Sequence, residues 1–102
     1  MFRHLVRHVI NPGEYQQFVQ AFGRLNAAMP AAELPAYRLW RTLFGDLNEV
    51  FAEAEYDSLD AHVAAWERAS GDEELMKRFR AMLAHTVPGT LHDYPLEPID
   101  LT

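Results

Sequence analysis

Two histidines in the first ten residues, "MFRHLVRHVI", are the side chains best suited to proton transfer near neutral pH. His4 and His8 lie four residues apart in a segment that alternates like a β-strand, so both side chains point to the same face. The rise of a strand places them about 13 Å apart, too far to share one metal ion, and we expect no metal site. We predict catalytic roles for His4, as a base toward a phenolic or enolic substrate, and for His8, as a group that orients it. The alternative is that each histidine is half-buried and hydrogen-bonded to a neighbour.

Paired carboxylates are a second candidate for acid–base chemistry. Glu53 and Glu55 fall on one face of the segment "LNEVFAEAEYDSL", whose small residues Ala52 and Ala54 fall on the other. Arginines occupy the neighbouring predicted strands, and ion pairs across strands are the commoner use of such carboxylates. We therefore favour a structural role for the two glutamates.

Aromatic and polar side chains on the predicted strands could line a cavity for a flat, apolar molecule. The candidate ligand-binding residues are Trp40, Arg41, Phe51, Tyr56, His92 and Tyr94. Arg41 or Tyr94 would stabilise a developing oxyanion if either pointed into that cavity. The same aromatic residues would serve equally well as the core of a dimer interface.

The elements that position these side chains alternate in type along the chain. Strands are predicted at residues 2–10, 37–44 and 90–96, with a further strand in the acidic segment that the turn "GDLN" joins to the second. One helix follows "NPGE", where Asn11 is the expected cap, and another follows "DS" and breaks near Gly71, where Asp72 is a fresh cap. The order β-α-β-β-α-β predicts a single α+β domain, residues 1–102, with a ferredoxin-like antiparallel sheet and both helices on one face.

The orientation of the acidic strand follows from side-chain size. Ala52 and Ala54 would let a helix pack closely on the sheet, so Phe51, Glu53 and Glu55 would look out of the other face. A sheet face that exposes aromatic residues to solvent is typical of a protein–protein interface, and we predict that a second copy covers it in a homodimer.

Composition excludes several classes of function. The chain of 102 residues has no cysteine, which excludes disulfides and thiol nucleophiles. Its net charge of −6 disfavours nucleic acids and anionic membranes as partners. It has no glycine-rich phosphate loop and no apolar run of membrane-spanning length. We expect a soluble, cytoplasmic protein without a bound cofactor.

The chain resembles the NIPSNAP-like branch of the dimeric α/β-barrel superfamily. Members typically show a first strand ending in K-P-G, then W-x-T-E-x-G-x-L-N-x-V, then Y-x-S at the start of a helix. The matching residues here are Pro12, Gly13, Trp40, Thr42, Gly45, Leu47, Asn48, Val50, Tyr56 and Ser58. The resemblance implies a dimeric α/β barrel, in which two sheets pack face to face around a ligand cavity. The family pattern would point Ala52 and Ala54 into that barrel, opposite to the orientation derived from packing.

The resemblance also implies a range of functions, because related branches include cofactor-free antibiotic-biosynthesis monooxygenases, polyketide-tailoring enzymes and haem-degrading enzymes. We predict a small homodimer that binds an apolar, aromatic or polyketide-like molecule in its barrel, as a cofactor-free tailoring enzyme or monooxygenase of secondary metabolism. The alternatives are a ligand-binding module without chemistry and a purely structural dimer whose aromatic residues fill the barrel.

Overall fold

One antiparallel sheet of four strands, in the order β2-β3-β1-β4, forms the centre of the molecule. The structure is a computed structural model, and it describes residues 1–44 and 48–101. The strands are β1 (Phe2–Val9), β2 (Arg38–Arg41), β3 (Glu49–Tyr56) and β4 (His92–Leu96), and the α-helices are α1 (Tyr15–Ala28), α2 (Leu59–Ser70) and α3 (Glu73–Leu83), with a short 3-10 helix at Pro30–Ala32. The ferredoxin-like α+β prediction is confirmed, with the second predicted helix divided into α2 and α3.

Strands β1 and β3 alternate strictly between a buried and a more exposed face. His4 lies opposite Ala54 and Val6 lies opposite Ala52, and all four residues are buried. Because paired residues in a sheet share a face, the even-numbered residues of both strands face the helices. The packing argument for Ala52 and Ala54 is therefore confirmed, and the opposite orientation taken from the family pattern is wrong for this chain.

Side-chain caps fix the starts of the second and third helices. The Ser58 hydroxyl accepts a hydrogen bond from the Ala61 N–H (3.1 Å) at the start of α2, and the Asp72 carboxylate accepts one from the Leu75 N–H (3.0 Å) at the start of α3. These caps satisfy amide groups that have no partner within the helix. The predicted break near Gly71 is confirmed.

The first helix begins later than the sequence predicts. Asn11 does not cap α1: its carbonyl accepts a hydrogen bond from the Glu14 N–H (3.0 Å), which closes a turn, and the helix starts at Tyr15. Gly13 within this turn has φ of +83°, a conformation that suits glycine and is incompatible with a continuous helix.

The second strand covers Arg38–Arg41 rather than residues 37–44, and at its start Tyr37 is held outside it. The Asn26 side chain on α1 bonds both backbone groups of Tyr37, accepting from its N–H (2.6 Å) and donating to its carbonyl (3.0 Å). These bonds replace strand pairing at Tyr37 and place its buried side chain between α1 and the sheet. The predicted turn at residues 45–48 lies mostly outside the described residues, and β4 starts at His92 rather than at residue 90.

The open face of the sheet, which the helices do not cover, carries cross-strand ion pairs. Arg3 contacts Glu55 (2.5 Å) and Glu53 (3.5 Å), and Arg7 pairs with Glu49. Glu53 also meets Arg38 (3.3 Å) on β2. The preference for ion pairing over catalysis at Glu53 and Glu55 agrees with these contacts. None of the helices in the described part of the chain is long and apolar enough to cross a membrane.

Candidate functional site

A cavity of about 340 Å³ lies between the helices and the helix-facing side of the sheet. This volume falls in the range of pockets that hold small molecules. Its apolar walls come from both layers: Val6, Phe22, Leu25, Met29, Ala52, Trp66, Phe79 and Met82. Leu91, Asp93 and Pro95 also line it and are exposed, so the cavity opens to solvent beside β4.

A chain of hydrogen bonds runs along one side of the cavity and ends at its mouth. The hydroxyl groups of Tyr56 and Tyr37 lie 2.9 Å apart, and the Tyr37 hydroxyl lies 2.6 Å from Nδ1 of His4. The other ring nitrogen of His4, Nε2, lies 2.8 Å from Oδ1 of Asp93. Both nitrogens of His4 are therefore engaged by protein groups, and this imidazole has no free nitrogen to offer a ligand.

A second imidazole, that of His62, lies beside these hydrogen bonds and takes part in none of them among the described residues. The ring of His62 on α2 lies 4.5 Å from that of His4, centroid to centroid, and it also packs against Phe2 and Tyr56. Neither nitrogen of His62 has a hydrogen-bond partner among the described residues, although both are buried. Buried polar atoms are nearly always paired in native proteins, so two unpaired atoms on one cavity wall point to a missing polar partner.

Trp66, one helical turn after His62, adds an indole donor beside the two phenols. Its N–H is buried and interacts with the Tyr37 and Tyr56 hydroxyls, but it completes no hydrogen bond of full geometry within residues 1–44 and 48–101. Burial raises the pKa values of Tyr37 and Tyr56, and the nearby indole of Trp66 opposes that rise at both phenols. The indole donor, the two phenols and His62 thus form one polar corner in an otherwise apolar cavity.

Burial also sets the protonation state of this polar corner. It lowers the pKa of His62, because the protonated ring would be poorly solvated there, and electrostatic repulsion between two protonated rings at His62 and His4 acts in the same direction. A buried imidazole with a lowered pKa is neutral at pH 7, and can accept a proton. The raised pKa of Tyr37 keeps its phenol protonated, so Tyr37 can pass a proton on but does not persist as an anion.

His8 lies on the same cavity wall, away from the polar corner. It is 2% exposed and packs between Phe18 and Phe22, with ring centroids 5.4 and 6.2 Å away. Burial in these apolar surroundings lowers its pKa to about 4. Its Nδ1 is buried, with no partner in the described part of the chain, so His8 is a second neutral acceptor in the cavity.

The structure divides the predicted site residues between the two faces of the sheet. His4, His8 and Tyr56 face the helices. His4 and His8 line the cavity, and Tyr56 is linked to it by its hydrogen bond to Tyr37. Trp40 pairs with Phe51, His92 with Arg7 and Tyr94 with Leu5, so all three lie on the open face of the sheet, as Phe51 does. The centroids of the His92 and Tyr94 rings lie 4.4 Å apart there. Arg41 is exposed on edge strand β2, opposite Val50. These six ligand-binding candidates do not surround a single cavity in one chain.

Four groups of the polar corner and its outlet were not predicted as site residues: Tyr37, His62, Trp66 and Asp93. The sequence places Tyr37 in the second predicted strand, as an aromatic residue that could line a barrel. His62 and Trp66 are four residues apart, so a helix brings their two polar rings onto one stripe. Asp93 has no such pattern, since it lies on an exposed edge strand.

The fold and the cavity together define a ferredoxin-like α+β domain with an internal cavity of about 340 Å³. A model of the NIPSNAP family matches residues 4–90, which is most of the chain, and the protein belongs to that family. No curated protein matches it.

Solved structures show the same architecture. A NIPSNAP family protein from Agrobacterium tumefaciens superposes with a TM-score of 0.81 at 18% identity, covering 99% of this chain and 88% of that one. A NIPSNAP domain protein from Burkholderia xenovorans gives 0.80 at 18% identity, covering 100% and 98%. A structure described as an antibiotic biosynthesis monooxygenase gives 0.74 at 15% identity, covering 98% and 100%. At these identities the likeness is one of fold.

Proposed function

We propose that this protein binds an apolar, aromatic-sized molecule in the cavity between the helices and the sheet, and transfers a proton from it without a bound cofactor. The observation that carries the proposal is the unpaired imidazole of His62 on the wall of a cavity of about 340 Å³. Leaving such a buried polar group unsatisfied costs about 1–3 kcal/mol, and a ligand hydroxyl or carbonyl would remove that cost.

The proposal gives His62 the direct contact with the ligand. Nδ1 and Nε2 of His4 are bonded to Tyr37 and Asp93, whereas both nitrogens of His62 are free among the described residues and its pKa is lowered by burial. A neutral imidazole in reach of a phenol or enol accepts a hydrogen bond from it and so orients it beside Tyr37. The indole N–H of Trp66 would stabilise the oxygen anion that forms. His4 then acts behind this contact through Tyr37, and His8 binds the far end of the ligand.

The reaction we favour is the oxidation of an ionisable aromatic compound by dioxygen. Removing the proton makes the ring system electron-rich enough to reduce dioxygen directly, so the ligand supplies the electrons. One oxygen atom converts a ring CH2 to a carbonyl, and the other leaves as water with the two hydrogens. The fold-level likeness to an antibiotic biosynthesis monooxygenase supports this choice. Binding without turnover is the alternative function.

The proposal includes a homodimer built on the open face of the sheet. Trp40 is 52% exposed there, and Leu5, Phe51 and Tyr94 share the face. The arginines of β1 are already paired with glutamates of β3, so a second copy could cover the face without leaving those charges unpaired. A stable interface of this kind would bury about 2,000 Å² or more in total.

Calorimetric titration with a hydroxylated polycyclic aromatic compound, and with its non-hydroxylated parent, tests the proposal. We expect the hydroxylated probe to bind more tightly and to lose that advantage in His62→Leu. Phe79→Trp, which fills the cavity, should weaken both probes, whereas the open-face variants His92→Leu and Phe51→Trp should weaken neither. Loss of binding only in the open-face variants would place the ligand between two sheets instead. Oxygen uptake with a carbonyl product separates turnover from binding alone.

A further inference from the structure

Asp93 joins the buried polar corner to the solvent. Its carboxylate lies 2.8 Å from Nε2 of His4, and its side chain is 56% exposed against 8% for that of His4. Inward from His4, the hydroxyl of Tyr37 is 2.6 Å from Nδ1 and 2.9 Å from the hydroxyl of Tyr56. The four groups form an unbroken path from the cavity wall to the edge strand.

The carboxylate gives this path a direction. The carboxylate of Asp93 accepts the hydrogen bond in this contact, so Nε2 of His4 carries the hydrogen. In the neutral ring Nδ1 is then an acceptor, and the hydroxyl of Tyr37 donates to it. The oxygen of Tyr37 accepts from Tyr56, and its second lone pair is open to the indole N–H of Trp66 or to a ligand in the cavity that Tyr37 lines. A ligand hydroxyl could donate to that lone pair.

We propose that Asp93 is a positioning residue, which holds His4 in the tautomer that accepts a proton from Tyr37 and so directs proton flow from the cavity toward solvent. The role rests on the proposed function, because it serves a proton lost by the ligand. As Tyr37 takes that proton, its own proton moves to Nδ1 of His4, and the Nε2 proton passes to Asp93 and then to water. Each group ends with the number of protons with which it began.

A structural role for the same contact makes a different prediction. Asp93 lies opposite Val6 in the pairing of β4 with β1. Its bond to His4 could therefore serve solely to stabilise the packing of the edge strand on the sheet. In that case removing the carboxylate would lower stability and leave the tautomer of His4 unchanged. The tautomer therefore separates the two roles.

The experiment is long-range proton–nitrogen NMR of the ligand-free protein, which reports which ring nitrogen of His4 carries the hydrogen. We expect the Nε2–H form in the wild type. In Asp93→Ala the ratio of Nδ1–H to Nε2–H forms should rise roughly fivefold. That factor lies between the changes expected from losing an exposed ion pair and from losing a buried hydrogen bond to a charged group. Asp93→Glu should restore the wild-type ratio, and Glu97→Ala, an exposed carboxylate just beyond β4, should not change it.

An unchanged tautomer in Asp93→Ala overturns the proposal. Asp93→Val, which suits a strand and carries no acceptor, gives the same test if the alanine variant does not fold. When turnover is measured, Asp93→Ala should be about tenfold slower at saturating substrate, and added formate should restore part of the rate, since a small carboxylate can replace the missing one. A shifted tautomer with no turnover on any aromatic probe would refute the proposed catalysis and leave the positioning role intact.

Discussion

The buried neutral state of His8 predicts a specific loss of stability in mild acid. His8 is 2% exposed and burial lowers its pKa to about 4, while the same side chain in the unfolded chain has an ordinary value near 6.5. Between these two pKa values the unfolded chain binds a proton that the native protein does not. Stability from this residue is therefore complete above pH 6.5, falls as the pH drops, and stops falling below about pH 4.

The size of the effect follows from the two pKa values. At pH 5 an unfolded imidazole is almost fully protonated and the native one is only about one-tenth protonated, a difference that costs about 2 kcal/mol relative to pH 7.5. His8→Gln removes the titration and keeps a polar side chain of similar length. The variant should therefore lose about 2 kcal/mol less than the wild type between pH 7.5 and pH 5.

Urea unfolding at pH 7.5 and pH 5, at one salt and one protein concentration, measures this difference. The wild-type midpoint should fall about 1–2 M further than that of His8→Gln, given the usual slope for a domain of this size. His92→Gln is the matched control, because that histidine is exposed on the open face, and its midpoint should fall as far as the wild type's. Equal losses in the wild type and in His8→Gln would refute the assignment of a buried, neutral His8.

Three further predictions concern the scaffold and its assembly. Ser58→Ala, which removes the cap of α2, should lower the free energy of unfolding by about 1 kcal/mol in urea. Ala69→Leu, at a fully buried position of α2, should lower it by about 1–3 kcal/mol through overpacking, while Ala64→Leu on the exposed side should change the thermal midpoint little. The wild type should have the mass of a dimer in light scattering at micromolar concentration and Phe51→Arg that of a monomer; a monomeric wild type would contradict the predicted interface.

The sheet was largely predictable because its signals are local. The alternation of β1 placed His4 and His8 on one face, and the small size of Ala52 and Ala54 indicated the helix-facing side of β3. Gly71 and Asp72 marked the break between α2 and α3 for the same reason, since a cap depends on three or four neighbouring residues.

The polar corner was less predictable, because it depends on how distant elements meet. Tyr37 reaches His4 only because Asn26, on a different element, holds its backbone outside β2. Helix α2 turns His62 toward the cavity and leaves the apolar residues Leu59 and Val63 about half exposed, although apolar residues are the usual choice for the buried side of a helix. The rotation of a helix about its axis is set by its packing partners, which the sequence of that helix does not specify.

The cavity is lined by side chains of a single chain, and this determines the stoichiometry of binding that we expect. Every copy carries a complete set of walls, whether or not its open face is covered. A titration should therefore reach saturation at one equivalent of ligand per chain with a Hill coefficient near one, because no wall is shared that could couple two binding events. The same independence would allow a variant that cannot associate to keep its full affinity for a ligand.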